Sequence, residues 1–354
     1  MICNLLTTGD SLVVYGEPGV GCKSLVKESL TRLRMHKSDF LVADIDLMRV
    51  RTTEDVLLQF ADGIIKSCAS SPSQYREIVE KYLQGTHFVF DQEIYDKAGT
   101  VVSLNWLPDE IDMAKVFELP SALSSMRHSR IVLLVRQFQN VLFPEDSDLV
   151  LRSLEKVVER RDADCPFVFI GSQYNRLREI FDEKRYFWRS VFRLVPSKVD
   201  PLQIAEYVYN RFQAYGKVLQ RDIVSSTAEL LRCNLKYVNH LFSLVDSIAK
   251  GYITPNSITD SLSVMLSIYR PGFLRNVYGL TDFQLRMLKA IVDGETRFSA
   301  ASVIDRYRLN SSANVKRLKD ALVKKELVWF DDQDMPHIQD ALFEYWLRKE
   351  YFAD

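Results

Sequence analysis

The chain has 354 residues, 47% of them hydrophobic and 26% charged, with a formal net charge of −1. That composition is ordinary for a globular protein and leaves room for two or three domains with real cores. A charge so close to zero excludes bulk attraction to nucleic acid or membrane, so any such contact needs a local patch.

Residues 1–10 read as a short lead-in, and Ser11–Tyr15 as a short buried strand. Gly16–Gly21 make a glycine-rich loop, and Lys23-Ser24 open a helix running to about Arg34. Phe40–Leu47 is expected as a second strand. Thr52–Asp55 then cap an amphipathic helix through about Lys66, with acidic residues in its first turn. Residues 67–127 are less periodic, with turn-rich spots at 70–73 and 107–108, and are read as helices and a lid-like insertion. Arg130–Val135 carries the apolar run of a buried parallel strand. A polar helix is expected over about 146–162, a strand over Phe167–Gly171 and a fifth strand over Phe192–Val195. Strands alternating with helices at this spacing predict an α/β fold with a parallel sheet covered on both faces. Ligands of such sheets bind at the carboxyl ends of the strands, where Gly16–Ser24, Arg136-Gln137 and Ser172 fall.

From Pro201 only helical spacing remains, over 201–215, 219–232 and 235–249, with another helix inside 252–271 that ends before Pro271. Thr281-Asp282 cap a helix to about Asp293, residues 299–306 make a second, and Ser311-Ser312 cap a third over 314–325. A strand pair, 327–330 and 337–338, joined by a turn at 331–336, completes the parts of a winged helix. Asp340–Tyr351 is an aromatic-rich amphipathic helix expected to dock back on the body. The expected organisation is a P-loop NTPase-like α/β domain over 1–199, an all-α lid over 200–272 and a winged-helix domain over 273–354.

The chemistry is concentrated in residues 10–25. Strand, glycine-rich loop and helix in that order form a phosphate-binding layout. Backbone N–H groups wrap the anion, a lysine reaches the outer phosphates and a hydroxyl binds Mg²⁺. The usual spacing is G-x-x-x-x-G-K-[ST], but Cys22 stands between Gly21 and Lys23. Aligned from the strand, Cys22 takes the lysine position; aligned from Lys23, Glu17 and Cys22 take the two glycine positions. Either the loop bulges by one residue or the site is damaged, and a bare glycine turn without ligand is the competing reading. No C-x-x-C pair joins any of Cys3, Cys22, Cys68, Cys165 and Cys233, which argues against a zinc site or a disulfide framework. With no stretch of 18 apolar residues, a reducing cytoplasm is the expected compartment.

Taken together these stretches resemble the archaeal-type ATPases of the STAND branch of AAA-like P-loop NTPases, a group widespread in archaea and bacteria. The likeness spans nearly the whole chain. It rests on Tyr15-Gly16 onward, Thr53-Glu54-Asp55, Gly171-Ser172, Phe187–Ser190, Gly279-Leu280-Thr281, Leu309–Val315 and Asp340–Arg348. The resemblance implies ATP as ligand. It also implies a Walker B acid pair at the end of the third strand, where this chain has Arg136-Gln137. Arg136 cannot hold a cation, and Gln137 can bond a water but cannot take its proton. Losing a general base costs about two to four orders of magnitude in rate, so fast hydrolysis is not expected and Mg²⁺ is disfavoured.

The nucleotide-binding residues implied are Gly16, Gly19, Gly21, Cys22, Lys23 and Ser24, with Arg136, Ser172 and Arg189. Ser24 is also the position implied for a metal, and Gln137 takes the place of the Walker B glutamate. Arg136 either lies against the phosphates or pairs with a nearby carboxylate. Arg189 is either a γ-phosphate sensor or a surface arginine. Asp44 and Asp46 read as solvated strand-end acids, and Cys22 at a helix N-terminus is expected to have a lowered pKa. His36, His87, His128, His240 and His337 show no metal-ligand spacing. Lys316, Arg317, Lys319, Lys324 and Lys325 give the third winged-helix helix a basic face, for DNA phosphates or simply for water. Three functions follow: a nucleotide-dependent switch with little turnover, a scaffold or DNA-contacting protein that no longer binds nucleotide, or a slow ATPase with an unorthodox site, which a neighbouring subunit could complete. Partner and oligomeric state stay open.

Overall fold

Short runs of β-branched and aromatic residues, each followed by a helix, set the architecture of the first two hundred residues. The computed structural model describes residues 1–35, 39–182 and 185–353. The chain divides into two compact units, residues 1–16 with 22–196, and residues 17–21 with 197–354.

The first unit begins α1 (Ile2–Thr8), β1 (Leu12–Val14), α2 (Cys22–Met35), β2 (Phe40–Asp46) and α3 (Thr53–Cys68). It continues with α4 (Pro72–Tyr82), β3 (Phe88–Val89), α5 (Gln92–Ala98), β4 (Ser103–Leu104) and α6 (Glu110–Arg127). It closes with β5 (Arg130–Arg136), α7 (Ser147–Glu159), β6 (Phe167–Ile170), α8 (Tyr174–Phe181) and β7 (Phe192–Leu194). The sheet order is β2-β5-β6-β1-β7, with every pairing parallel. All five carboxyl ends therefore lie along one edge of the sheet. On one face the strands pack against α3, α6 and α7 through Phe60, Phe117, Leu151 and Phe169. On the other, α1 and α2 supply Ile2, Leu6, Val26 and Leu30.

Two expectations are corrected here. The N-terminal lead-in is a helix, too short for its periodicity to show, with Ile2 and Leu6 buried and Gly9 ending it at φ 82°. The lid-like insertion at 67–127 is largely core. Its last helix, α6, buries Val116, Phe117, Leu119 and Leu123, and the two-residue strands β3 and β4 pair antiparallel on either side of α5.

The second unit is helical up to its wing: α9 (Pro201–Ala214), α10 (Arg221–Leu230), α11 (Leu235–Ile248), α12 (Pro255–Tyr278) and α13 (Asp282–Val292). There follow α14 (Ala301–Tyr307), α15 (Ser312–Lys324), the antiparallel pair β8 (Val328–Phe330) and β9 (Pro336–Ile338), and α16 (Ala341–Trp346). A π turn over Leu347–Tyr351 ends it. The helix expected to stop before Pro271 does not stop. A proline inside a helix removes one hydrogen bond, but the apolar stripe carries on past it through Phe273 and Val277, both buried. The Phe273 ring lies 5.4 Å from that of Phe343 and 5.6 Å from that of Trp346, so packing outweighs the lost bond. Among the described residues no helix is long and apolar enough to cross a membrane.

Candidate functional site

In the first unit the predicted residues fall into two groups along the carboxyl edge of the sheet. At the start of α2, Lys23 and Ser24 are exposed, no acidic residue occupies the first turn, and neither side chain has a partner among the described residues. An uncapped helix start with a free ammonium and hydroxyl is receptive to anions. Cys22 departs from expectation: burial pushes its thiol up to about 11, because loss of solvent disfavours the thiolate more than the helix start favours it. Lys23 and Arg136 line one groove of about 440 Å³, floored by Val42 and Leu134.

At the end of β5 everything is already paired. The parallel register sets Arg136 beside Asp46 and Leu134 beside Asp44. The Arg136 guanidinium donates to Asp44 at 2.5 Å and lies 3.1 Å from Asp46. Asp44 and Asp46 are therefore not merely solvated acids, and Arg136 takes the carboxylate-paired alternative. Gln137 follows at φ 54°. Its Oε1 accepts from the Ser172 hydroxyl at 2.8 Å and from the Gln139 amide at 2.9 Å. Gln139 is buried against Gly171, where a Cβ would come within 2.2 Å of its Oε1. That glycine is required by the close approach of an amide. Beneath the turn, Phe138 is fully buried among Phe169, Phe181 and Phe187, its ring 4.4 Å from that of Phe169.

Arg189 stands elsewhere. It precedes β7 and, with Gly9 and Asp10, lines a cavity at the amino ends of the strands. In a parallel sheet that edge is opposite to the one where the glycine-rich loop leaves β1.

Residues 17–21 fold with the second unit. Gly19 and Gly21 adopt φ 91° and 89°, positive values that glycine takes without strain. A Cβ on Gly19 would strike the Asn234 side chain at 2.1 Å. Asn234 Nδ2 donates to Pro18 O at 2.8 Å and Leu235 N to Gly19 O at 3.1 Å. The loop thus spends two carbonyls on the start of α11. The N–H groups of Gly19 and Gly21 donate to nothing among the described residues. Glu17 is held by Lys198 at 3.0 Å and by Arg232 at 2.7 Å. Burial opposes ionisation of Glu17, but the hydrogen bonds from these two cations outweigh it and lower its pKa. Arg232 also pairs with Glu344 at 2.8 Å and donates to Ile338 O at 2.6 Å. An ion-pair relay therefore connects the glycine-rich loop to β9 and α16. Sequence reading gave Glu17 only as a displaced loop position and missed Arg232 and Asn234. Only their three-dimensional neighbours mark them, although Asn at a helix start is an N-cap signal.

His36 lies outside the described residues. His87 meets Asp109 and Asp112, but the Asp112 oxygens already accept from His87 N, His87 Nδ1 and Asp109 N at 2.7 Å each, so the group reads as a hydrogen-bonded anchor. Of the basic face on α15, Lys319 pairs with Asp334 and Lys325 donates to Gly279 O. Lys316, Arg317 and Lys324 stay exposed.

Residues 272–349 match the family described as "Probable winged helix domain". The Walker-type ATPase PABY2304 of Pyrococcus abyssi superposes with a TM-score of 0.61 at 15% identity, over 97% of this chain and 92% of that one. The fold is that of a Walker-type ATPase followed by a winged helix. The Aeropyrum pernix ORC2 protein, solved as ADPNP–ADP complexes, gives 0.56 at 12% identity over 96% of this chain and 87% of that one. The A. pernix ORC1 protein, solved in complex with DNA, gives 0.50 at 13% identity over 99% and 91%. No curated protein matches in sequence.

Proposed function

We propose that the protein binds ATP at the glycine-rich loop as a switch and does not turn it over at an appreciable rate. One observation carries this reading. At the start of α2, Lys23 and Ser24 have no partner among the described residues, while the Walker B position at the end of β5 is consumed by its own neighbours. Lys23 is the phosphate ligand. Arg136 is not, because two carboxylates already neutralise it. Mg²⁺ does not fit this donor set, since Asp44 and Asp46 at the strand ends are committed to the Arg136 guanidinium. The Glu17–Arg232–Glu344 relay supports a route by which a change in the loop reaches the winged helix.

Calorimetric titration of ATP with and without Mg²⁺ tests this. Saturable binding that tolerates removal of Mg²⁺ and weakens about 10- to 100-fold in Lys23→Ala is the expected outcome, the size of one charge-assisted contact. Absence of heat under every condition sinks the switch. The fold would then be a retained scaffold, with Lys316, Arg317 and Lys324 as its remaining contact to DNA or protein.

A further inference from the structure

The cavity at the amino ends of β1 and β7 is independent of the glycine-rich loop. It encloses about 220 Å³ and is lined by Asp10, Arg161, Arg189, Ser190 and Phe192, among others. Three features set it apart from ordinary surface. Arg161 and Arg189 both hold left-handed backbone, φ 50° and 66°, a conformation that costs free energy in non-glycine residues and clusters where geometry is used. The two are coupled, since Arg161 Nη2 donates to Arg189 O at 2.7 Å, and the Arg189 guanidinium has no partner among the described residues. The Ser190 hydroxyl is buried with no hydrogen-bond partner among the described residues, a cost that buried polar groups rarely bear. Against two guanidinium groups stands one carboxylate, Asp10, which already accepts from Thr8 at 2.5 Å. Ser11 is likewise occupied, its Oγ accepting from Phe167 N. Beside the cations the Phe192 ring is 48% exposed at the start of a strand.

We propose that this cavity binds a small phosphate monoester with a planar body, of the class of a nucleoside monophosphate. The guanidinium forks of Arg161 and Arg189 match a phosphate's oxygens. The Ser190 hydroxyl donates to the same group and loses its unpaired state. Phe192 offers a face for stacking by the planar body, a contact that tolerates different bases. The site is separated from Lys23 by the length of β1, so it stands whether or not the glycine-rich loop binds ATP.

The test uses the full chain carrying Lys23→Ala, which removes the loop's phosphate ligand. AMP and inorganic phosphate are titrated separately by calorimetry. AMP is expected to bind saturably and more tightly than phosphate. Arg189→Ala should weaken AMP at least tenfold, and Phe192→Ala should bring AMP down to the level of phosphate. Arg161→Lys keeps a donor for Arg189 O but loses the fork, so it should weaken AMP while the melting temperature holds. No saturable binding of either probe, or binding indifferent to both arginine substitutions, overturns the site. Equal affinity for AMP and phosphate overturns the planar body.

Discussion

Two cationic side chains, Lys23 and Arg136, line the same groove, and only one of them is available. Lys23 stands on a helix start without acids, so its charge is unpaired among the described residues. Arg136 ends a strand whose neighbour presents Asp44 and Asp46 in register, so its charge is spent at home. Residue type alone would make both arms of a phosphate clamp. The neighbours decide which is a ligand and which is architecture.

That contrast is breakable, because a ligand position should cost affinity and an architectural one stability. The largest effect is expected at Phe138, the buried ring under Gln137. Phe138→Ala should lose about 3–5 kcal/mol of unfolding free energy by urea denaturation, the range for a large ring deleted from a packed core. A loss under 1 kcal/mol would mean the β5 end is not the rigid half. Next comes Arg136→Ala, which leaves two carboxylates facing each other. It should cost about 1–2 kcal/mol at low salt, discounted for partial exposure, and less at 0.5 M salt. ATP affinity should stay within about twofold; a tenfold fall would return Arg136 to the phosphates. The smallest effect concerns pH. The folded pKa of Glu17 lies below the ordinary glutamate value of 4.5. Its contribution is therefore fully present above about 4.5 and is lost as pH falls through the folded value. Glu17→Gln should be less stable than the parent at pH 7 by no more than about 1 kcal/mol, with the gap closing in acid. A gap that persists unchanged at pH 3 would show that charge is not what holds the loop.

The sheet and most helices were legible because each is a local pattern: an apolar run for β5 and β6, capping boxes at Thr52 and Thr281. The glycine-rich loop was legible for the same reason, and Gly19 and Gly21 take the left-handed conformation their identity permits. What could not be read was pairing over distance. Arg136 and Asp44 are 92 residues apart, and Glu17 and Arg232 are 215 apart. Cys22 was misjudged because a helix start and burial pull a thiol in opposite directions, and only the fold says which is larger. Arg189 was placed with the phosphates by motif order, yet parallel strand direction puts it on the other edge.

The continuation of α12 through Pro271 has a mechanical meaning. Twenty-four residues of helix make a rod about 36 Å long, which packs against α11 and whose end leads into the winged helix. The carbonyl of Ser267 lacks its helical donor because Pro271 has no N–H, so any bend in the rod concentrates there. The protein thus carries a single shaft with one built-in weak point.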